Sequence, residues 1–355
     1  MIINESIQAE EVSLCLHCSS VGTCLYENMR DRLYEVPGNW SFLRCPKCGL
    51  VWINPRPLLE GIKRLYSNYY THSKESIEKK LTSFKRRLKH DVLVNAFGQN
   101  KNFSSWEWAR MFAKPLGMFP PFKRTVEKAI VNLNFLPNRR LLDVGCGSGE
   151  FLVMMRDLGW QVQGIEPDGQ AAKIAREKFG LRVEACTLEE AKIPVGSFDV
   201  ITVLHVLEHV PDPQKLIQEC SQALQPEGRL VIVVPNLESL GHQVFKKCWL
   251  GLDPPRHLWV YSSRTLRTCA ERAGLEIEKL YTIGHGAMWG WITSKTIKRK
   301  GKFREEDVNF VLALEGLFFY FSTEFASTIN KNVGEEIILI GKKNKQNLAK
   351  ETSTL

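Results

Sequence analysis

No stretch of this 355-residue chain holds the roughly 18 consecutive apolar residues that a membrane-spanning helix needs, which points away from an integral membrane protein. The opening residues MIINESIQAE are acidic where a secretory leader would carry a basic start and an apolar run. Internal repeats are absent. With 25 Gly and 16 Pro the chain is enriched in neither, which excludes collagen-like and low-complexity classes. A composition that is 44% hydrophobic and 25% charged is globular rather than disordered. The ten cysteines lack the setting of a disulfide framework. Four form two Cys-x-x-Cys pairs and six are scattered among apolar neighbours, which in a reducing compartment reads as one metal site plus buried thiols. The expected location is cytoplasmic.

The charge is uneven. Residues 138–282 hold 17 Lys+Arg against 19 Asp+Glu, so the rest of the chain carries the whole basic excess of a protein whose formal net charge is +9. The excess sits in KKLTSFKRRLK (79–89), KTIKRKGKFR (295–304) and the tail KKNKQNLAK. Such runs attract phosphates or anionic headgroups, or form solvated helix faces.

Four segments follow from pattern. Residues 1–57 contain the cysteine pairs and end at the prolines of INPRP; residues 58–137 are helix-like, aromatic and basic, a linker region broken at PLGMFPP. Residues 138–282 alternate short apolar runs (RLLDV, WQVQGIE, FDVITVL, RLVIVV, LEIEKLY) with helical stretches. That rhythm is an α/β fold with a parallel sheet covered by helices. An insert over 283–332 precedes a last strand, GEEIILIGKK, and a basic tail over 344–355.

After RLLDV comes Asp143-Val144-Gly145-Cys146-Gly147-Ser148-Gly149-Glu150, a glycine loop entering a helix. The dinucleotide fingerprint G-x-G-x-x-G/A would need Gly or Ala at position 150, where this chain has Glu150. Glu150 and Asp143 are poor neighbours for a pyrophosphate at that helix N-terminus. The loop suits a ligand with positive charge and no phosphate. Glu166, at the end of the next strand, is placed to accept the hydroxyls of a ribose.

The segments LLDVGCGSGEFL, GIEPDGQAAKIA, SFDVITVLHVLEHVPDP, ALQPEGRLVIVVPN and PPRHLWVYSSRTLRTCAERAGLEIEKL resemble, in order, the class I S-adenosylmethionine-dependent methyltransferases, in particular the group related to ubiquinone-biosynthesis O-methyltransferases. The resemblance runs over 138–343 and implies a Rossmann-like seven-stranded sheet whose last strand is antiparallel. It implies S-adenosylmethionine as cofactor, with Gly145, Cys146 and Gly147 lining the methionine portion, Asp143 supporting the loop and Glu166 holding the ribose. Thr187 and Leu188 would border the adenine and His205 would lie against the sulfonium end.

Cys15-Leu16-His17-Cys18 and Cys45-Pro46-Lys47-Cys48-Gly49 suit a tetrahedral zinc ion with no open position, hence a structural site. RCPKCGLVWINPRP resembles a small zinc-ribbon-like module that precedes many bacterial methyltransferase domains, including sugar C-methyltransferases. His17 and Cys24 are spare ligand types.

The chain after the fourth strand, His205-Val206-Leu207-Glu208-His209, matches H-x-x-E-H, but a zinc-protease site needs both histidines on one helix, and here a strand precedes while Pro211 and Pro213 follow. The related ubiquinone-pathway enzymes place a Glu-x-x-Glu-His metal site here, and His205 in place of the first Glu weakens a magnesium site, since Mg²⁺ prefers oxygen. Methyl transfer to a hydroxyl needs a route for the proton. His209, oriented by Glu208, is the first candidate base and His257 the second.

In the insert, Trp289 and Trp291 precede the basic run, and Phe310, Leu314, Leu317, Phe321 and Phe325 share one helical stripe widened by Phe318 and Phe319. Residues 295–325 thus offer a peripheral contact with the inner face of a membrane, a lid over the acceptor or a dimer interface. The expected activity is methylation of a hydroxyl, secondarily a carbon, of a sugar, a polysaccharide precursor or a quinone-like small molecule. The alternatives are an RNA methyltransferase, suggested by the net charge and zinc module, and a non-catalytic cofactor-binding scaffold. Against RNA stand the slightly acidic catalytic segment and the missing Asn/Asp-Pro-Pro-Tyr/Phe signature.

Overall fold

The computed structural model describes residues 2–4, 7–58, 61, 65 and 139–343, so nearly all of the expected helical linker and the basic tail lie outside the described residues. The strands, in chain order, are β1 (Ile2–Asn4), β2 (Ile7–Glu10), β3 (Thr23–Met29), β4 (Trp40–Arg44), β5 (Val51–Asn54), β6 (Arg56–Pro57) and β7 (Arg140–Val144). They continue as β8 (Gln161–Ile165), β9 (Val183–Glu184), β10 (Phe198–Leu204), β11 (Leu224–Pro235), β12 (Trp259–Val260), β13 (Leu275–Ile283) and β14 (Glu336–Lys343).

Seven of them form one sheet in the order β13-β14-β11-β10-β7-β8-β9. The pairs β7–β8 and β8–β9 are parallel and β13–β14 is antiparallel, as expected for the last strand. The continuous apolar runs of β7, β10 and β11 are the mark of strands covered on both faces, and Leu141, Leu142, Ile201, Val231, Ile232 and Val234 are all fully buried.

The described residues cluster into two compact units, which divide β10 and β11 between them: 139–202 with 222–231, and 2–65 with 203–221 and 232–343. In the first of these, the helix Glu150–Asp157 follows the glycine loop with Gly149 at its N-cap in the left-handed region (φ 85°). The helix Gly169–Phe179 is capped by Asp168, whose carboxylate accepts from the backbone N–H of Gln170 and Ala171, and it closes on Gly180.

In the other unit the N-terminal residues form two small sheets, β1-β2-β6 and β12-β5-β4-β3. The second is completed by a strand from the far end of the chain, β12, whose Trp259 and Val260 pair antiparallel with Trp52 and Val51. Trp40, Phe42, Trp52 and Trp259 are fully buried there, so the cysteine-bearing segment and residues 232–343 share one core. The insert forms two helices, Ala287–Lys300 and Phe310–Ile329.

Candidate functional site

The glycine loop is built around one carboxylate. Glu166 accepts a hydrogen bond of 2.7 Å from the Gly147 N–H and one of 2.8 Å from the Asp168 N–H, which ties the loop to the end of β8. Burial raises the pKa of Glu166 against those two backbone donors. Gly147 has φ 53°, and a side chain added there would meet nothing within 4 Å, so the backbone borders open space. Asp143 is buried and accepts from the Thr202 hydroxyl at 2.6 Å; burial, with the Glu166 charge beside it, pushes its carboxyl up to about 7. Cys146 is buried, and burial also pushes its thiol up. The open space beside the Gly147 backbone, with the carboxylates of Glu166 and Asp143 at hand, fits a cationic adenosyl ligand: Gly145, Cys146 and Gly147 would line the methionine portion and Glu166 would hold the ribose.

Thr187 is committed locally. Its hydroxyl caps the short helix Leu188–Ala191 by accepting from the Glu190 N–H and donates to the Glu190 carboxylate at 2.9 Å, while Leu188 is buried.

The histidines lie in the other unit, and they are arranged by backbone carbonyls. Residues 205–209 form a turn, with the His209 N–H bonded to the Val206 carbonyl, so the two histidines of H-x-x-E-H do not share a helix and the protease pattern is excluded by geometry. Nδ1 of His209 lies 3.0 Å from the Arg256 carbonyl and Nδ1 of His257 lies 2.9 Å from the Gly251 carbonyl. A carbonyl oxygen only accepts, so in each neutral ring Nδ1 carries the proton and Nε2 the lone pair. The rings meet edge to face with centroids 4.7 Å apart. The partner that orients His209 is therefore the Arg256 carbonyl, where the sequence suggested Glu208.

Glu208 is buried, and neither of its carboxylate oxygens has a hydrogen-bond partner among the described residues. Burial alone would raise its pKa, but His205, His209 and His257 outweigh it and hold the group below the usual carboxylate range. Glu208, His209 and His257 can bring one ligand atom each within 4.8 Å of one another. Burial and the nearby His257 push His209 down to about 4, below the ordinary histidine range. His205 sits at φ 56° between two carboxylates, 3.6 Å from Glu208 and 3.5 Å from Glu336. Those charges hold the pKa of the exposed His205 well above the usual value, and Glu336 in turn falls to about 2.

Two sequence-distant staples fix this arrangement. The Glu208 carbonyl accepts from the Leu258 and Trp259 N–H groups, and the Trp259 indole donates to the Val210 carbonyl at 2.9 Å. Arg256 is buried, and it bonds Asp31 at 2.7 and 2.8 Å and Asp253 at 2.9 and 2.5 Å. Neither Asp31 nor Arg256 stands out in the sequence, because their only signal is a pairing across 225 positions.

The four cysteines converge. Sγ of Cys15 lies 3.4 Å from that of Cys48, and Cys18 Sγ lies 3.3 Å from Cys45 Sγ. Backbone N–H groups of His17 and Cys48 point at the sulfurs of Cys15 and Cys45, each at 3.4 Å, and Gly49 turns the second knuckle at φ 84°. Four sulfurs at those separations, two of them buried, fit a tetrahedral zinc ion. His17 is buried with neither ring nitrogen hydrogen-bonded among the described residues, and Cys24 is exposed outside the cluster. The donor set Glu208, His209 and His257, one oxygen and two nitrogens, suits a borderline divalent ion better than magnesium.

The profile of a family described as a methyltransferase domain matches residues 118–280. The ubiquinone biosynthesis O-methyltransferase of Idiomarina loihiensis is 29% identical over 227 residues, which cover 57% of this chain and 86% of that protein. The mitochondrial ubiquinone biosynthesis O-methyltransferase of Bos taurus is 30% identical over 204 residues, 51% of this chain and 55% of that one. The enzyme of that name from Xanthomonas campestris pv. campestris (strain B100) is 37% identical over 130 residues, 35% of this chain and 53% of that protein, so the match spans about half the length of the last two. A SAM-dependent methyltransferase structure from Archaeoglobus fulgidus aligns with a TM-score of 0.43 at 19% identity, covering 67% of this chain and 100% of that one.

Proposed function

From a chain that carries a class I S-adenosylmethionine-dependent methyltransferase domain, we propose an enzyme that methylates a phenolic hydroxyl of a quinone-like small molecule. When bound, S-adenosylmethionine supplies the methyl group and leaves as a neutral thioether. The chain's own groups do the rest. The Gly145–Gly147 backbone and Glu166 bind and orient the cofactor, and His209 Nε2 takes the proton that the acceptor hydroxyl gives up, with the Glu208 carboxylate beside it to stabilise the imidazolium.

The observation that carries this reading is the pair of imidazoles whose Nδ1 atoms are tied to carbonyls while one ligand atom of each ring lies within 4.8 Å of the buried Glu208 carboxylate. It also favours one acceptor class. A base held at about 4 is weak, so it serves an acidic hydroxyl best. A phenol, with a pKa of about 10, is far closer to its reach than a sugar alcohol. The names of the Idiomarina and cattle relatives point the same way.

A second reading rests on the same cluster. A divalent cation on Glu208, His209 and His257 would give the buried carboxylate a ligand bond and lower the pKa of a coordinated phenol. The test for both is labelled methyl transfer from S-adenosylmethionine into fractionated cell extract, with and without chelator. Label in the organic-extractable phenolic fraction supports the proposal, and loss with chelator selects the metal-assisted form. Label confined to soluble glycan or to RNA overturns it.

A further inference from the structure

We infer that the helix Phe310–Ile329 is a docking surface for an anionic membrane, on which it lies flat with its apolar face down. The pairings Glu324 with the Gly284 N–H, Phe319 with the Trp291 ring and Glu315 with Lys295 run in opposite chain directions, so this helix packs antiparallel on Ala287–Lys300. Packing uses the face with Leu312, Gly316, Phe319 and Thr323, all buried. The other face is exposed and has no packing partner among the described residues. Phe310, Leu314, Phe318, Phe321, Phe325 and Ile329, spaced three or four apart, are each 50 to 76% exposed. A helix of 20 residues presents that stripe over about 30 Å.

The helix is long and apolar enough to cross a membrane by length and composition. Its inner face rules that placement out, because Glu315 and Glu324 are held against the neighbouring helix and lipid cannot surround them. A stripe on one side only suits a helix lying in the interface.

Charge selects the occupant. The antiparallel pairing sets the exposed Lys298 and Arg299 beside the start of the stripe, and the exposed Lys331 follows its end. None of the three is ion-paired among the described residues, whereas Glu306 and Asp307 of the intervening loop are taken up by Arg304 and Lys300, leaving Glu305. A second copy would meet like charge in either orientation: parallel stripes juxtapose Lys298 and Arg299 with themselves, and antiparallel stripes juxtapose them with Lys331. An anionic headgroup layer satisfies both ends, and its acyl region takes the aromatic side chains between them.

The experiment is flotation of the full chain with vesicles of phosphatidylcholine alone or mixed with phosphatidylglycerol, alongside its mass in solution by light scattering. The expected result is binding to the mixed vesicles that falls at least about tenfold in Phe318→Ser/Phe321→Ser, in Lys298→Glu/Arg299→Glu, and for the wild type in high salt. Unchanged far-ultraviolet circular dichroism of the variants shows that the exposed substitutions leave the fold intact. Failure of the wild type to float with the mixed vesicles overturns the inference, as does equal binding by both double variants. A dimeric mass that Phe318→Ser/Phe321→Ser converts to a monomer also overturns it and assigns the stripe to a second copy.

Discussion

Arg256 reaches 225 positions along the chain to Asp31, and the two side chains, both fully buried, share a bidentate ion pair of 2.7 and 2.8 Å. The same guanidinium holds Asp253, and the carbonyl of the same residue fixes His209. The cysteine-bearing segment is thereby locked to the loop that positions the histidines.

Removing one partner of this pair leaves the other charge buried and uncompensated. Asp31→Ala should cost about 3–5 kcal/mol in urea unfolding, with an accompanying loss of turnover because the Arg256 carbonyl shifts under His209. A cost near zero would mean that the pair is solvated in solution.

Zinc should be present at one equivalent and should be lost with Cys45→Ser. Its binding should contribute on the order of 10 kcal/mol to the folding of the cysteine-bearing segment. Since that segment shares a core with residues 232–343, chelation should also lower the unfolding temperature of the chain as a whole. Metal analysis of purified protein and a melt with and without chelator check this, and less than half an equivalent of zinc would contradict it.

Cofactor affinity should fall sharply in Glu166→Ala, which removes a charged acceptor worth roughly 1.5–3 kcal/mol and frees the Gly147 N–H it holds. Gly147→Trp should abolish binding by filling the open space beside the loop. Titration calorimetry with S-adenosylmethionine reads both, and wild-type affinity in the two variants would show that the cofactor lies elsewhere.

Asp143 gives the fold a pH dependence of defined sign. Its folded pKa of about 7 lies above the ordinary value, so the fold prefers the protonated carboxyl. The stability this confers is complete below the unfolded pKa of about 4 and is lost as pH rises towards 7. Asp143→Asn should flatten that loss between acid and neutral pH, read as the urea midpoint at each. Glu335, also raised to about 7 by burial, acts in the same direction and will leave part of the slope.

The parallel strands were readable in the sequence because strands buried on both faces are unbroken apolar runs, and RLLDV and FDVITVL appear in the fold as written. The four cysteines were readable because their spacing is itself the signal. The two-residue strand Trp259–Val260 was not, since nothing local says that it pairs with Val51 and Trp52. The orienting role of the Arg256 carbonyl was hidden for a related reason: a backbone oxygen has no letter in the sequence, whereas Glu208 is adjacent and acidic. The aromatic stripe was legible as a helix with one apolar face, but Phe319 turns inward against Trp291 while Phe318 points out, a distinction that only the packed partner helix makes.

The most direct measurement is single-turnover methyl transfer from S-adenosylmethionine into the organic-extractable acceptor, by the wild type and by His209→Ala, with cofactor affinity determined in parallel. A positioned proton acceptor is worth about 10² to 10⁴ in rate. The account predicts a loss of that size with cofactor affinity essentially unchanged, because the residues proposed to hold the cofactor, Gly147 and Glu166 among them, do not include His209. Transfer at the wild-type rate by His209→Ala would contradict it.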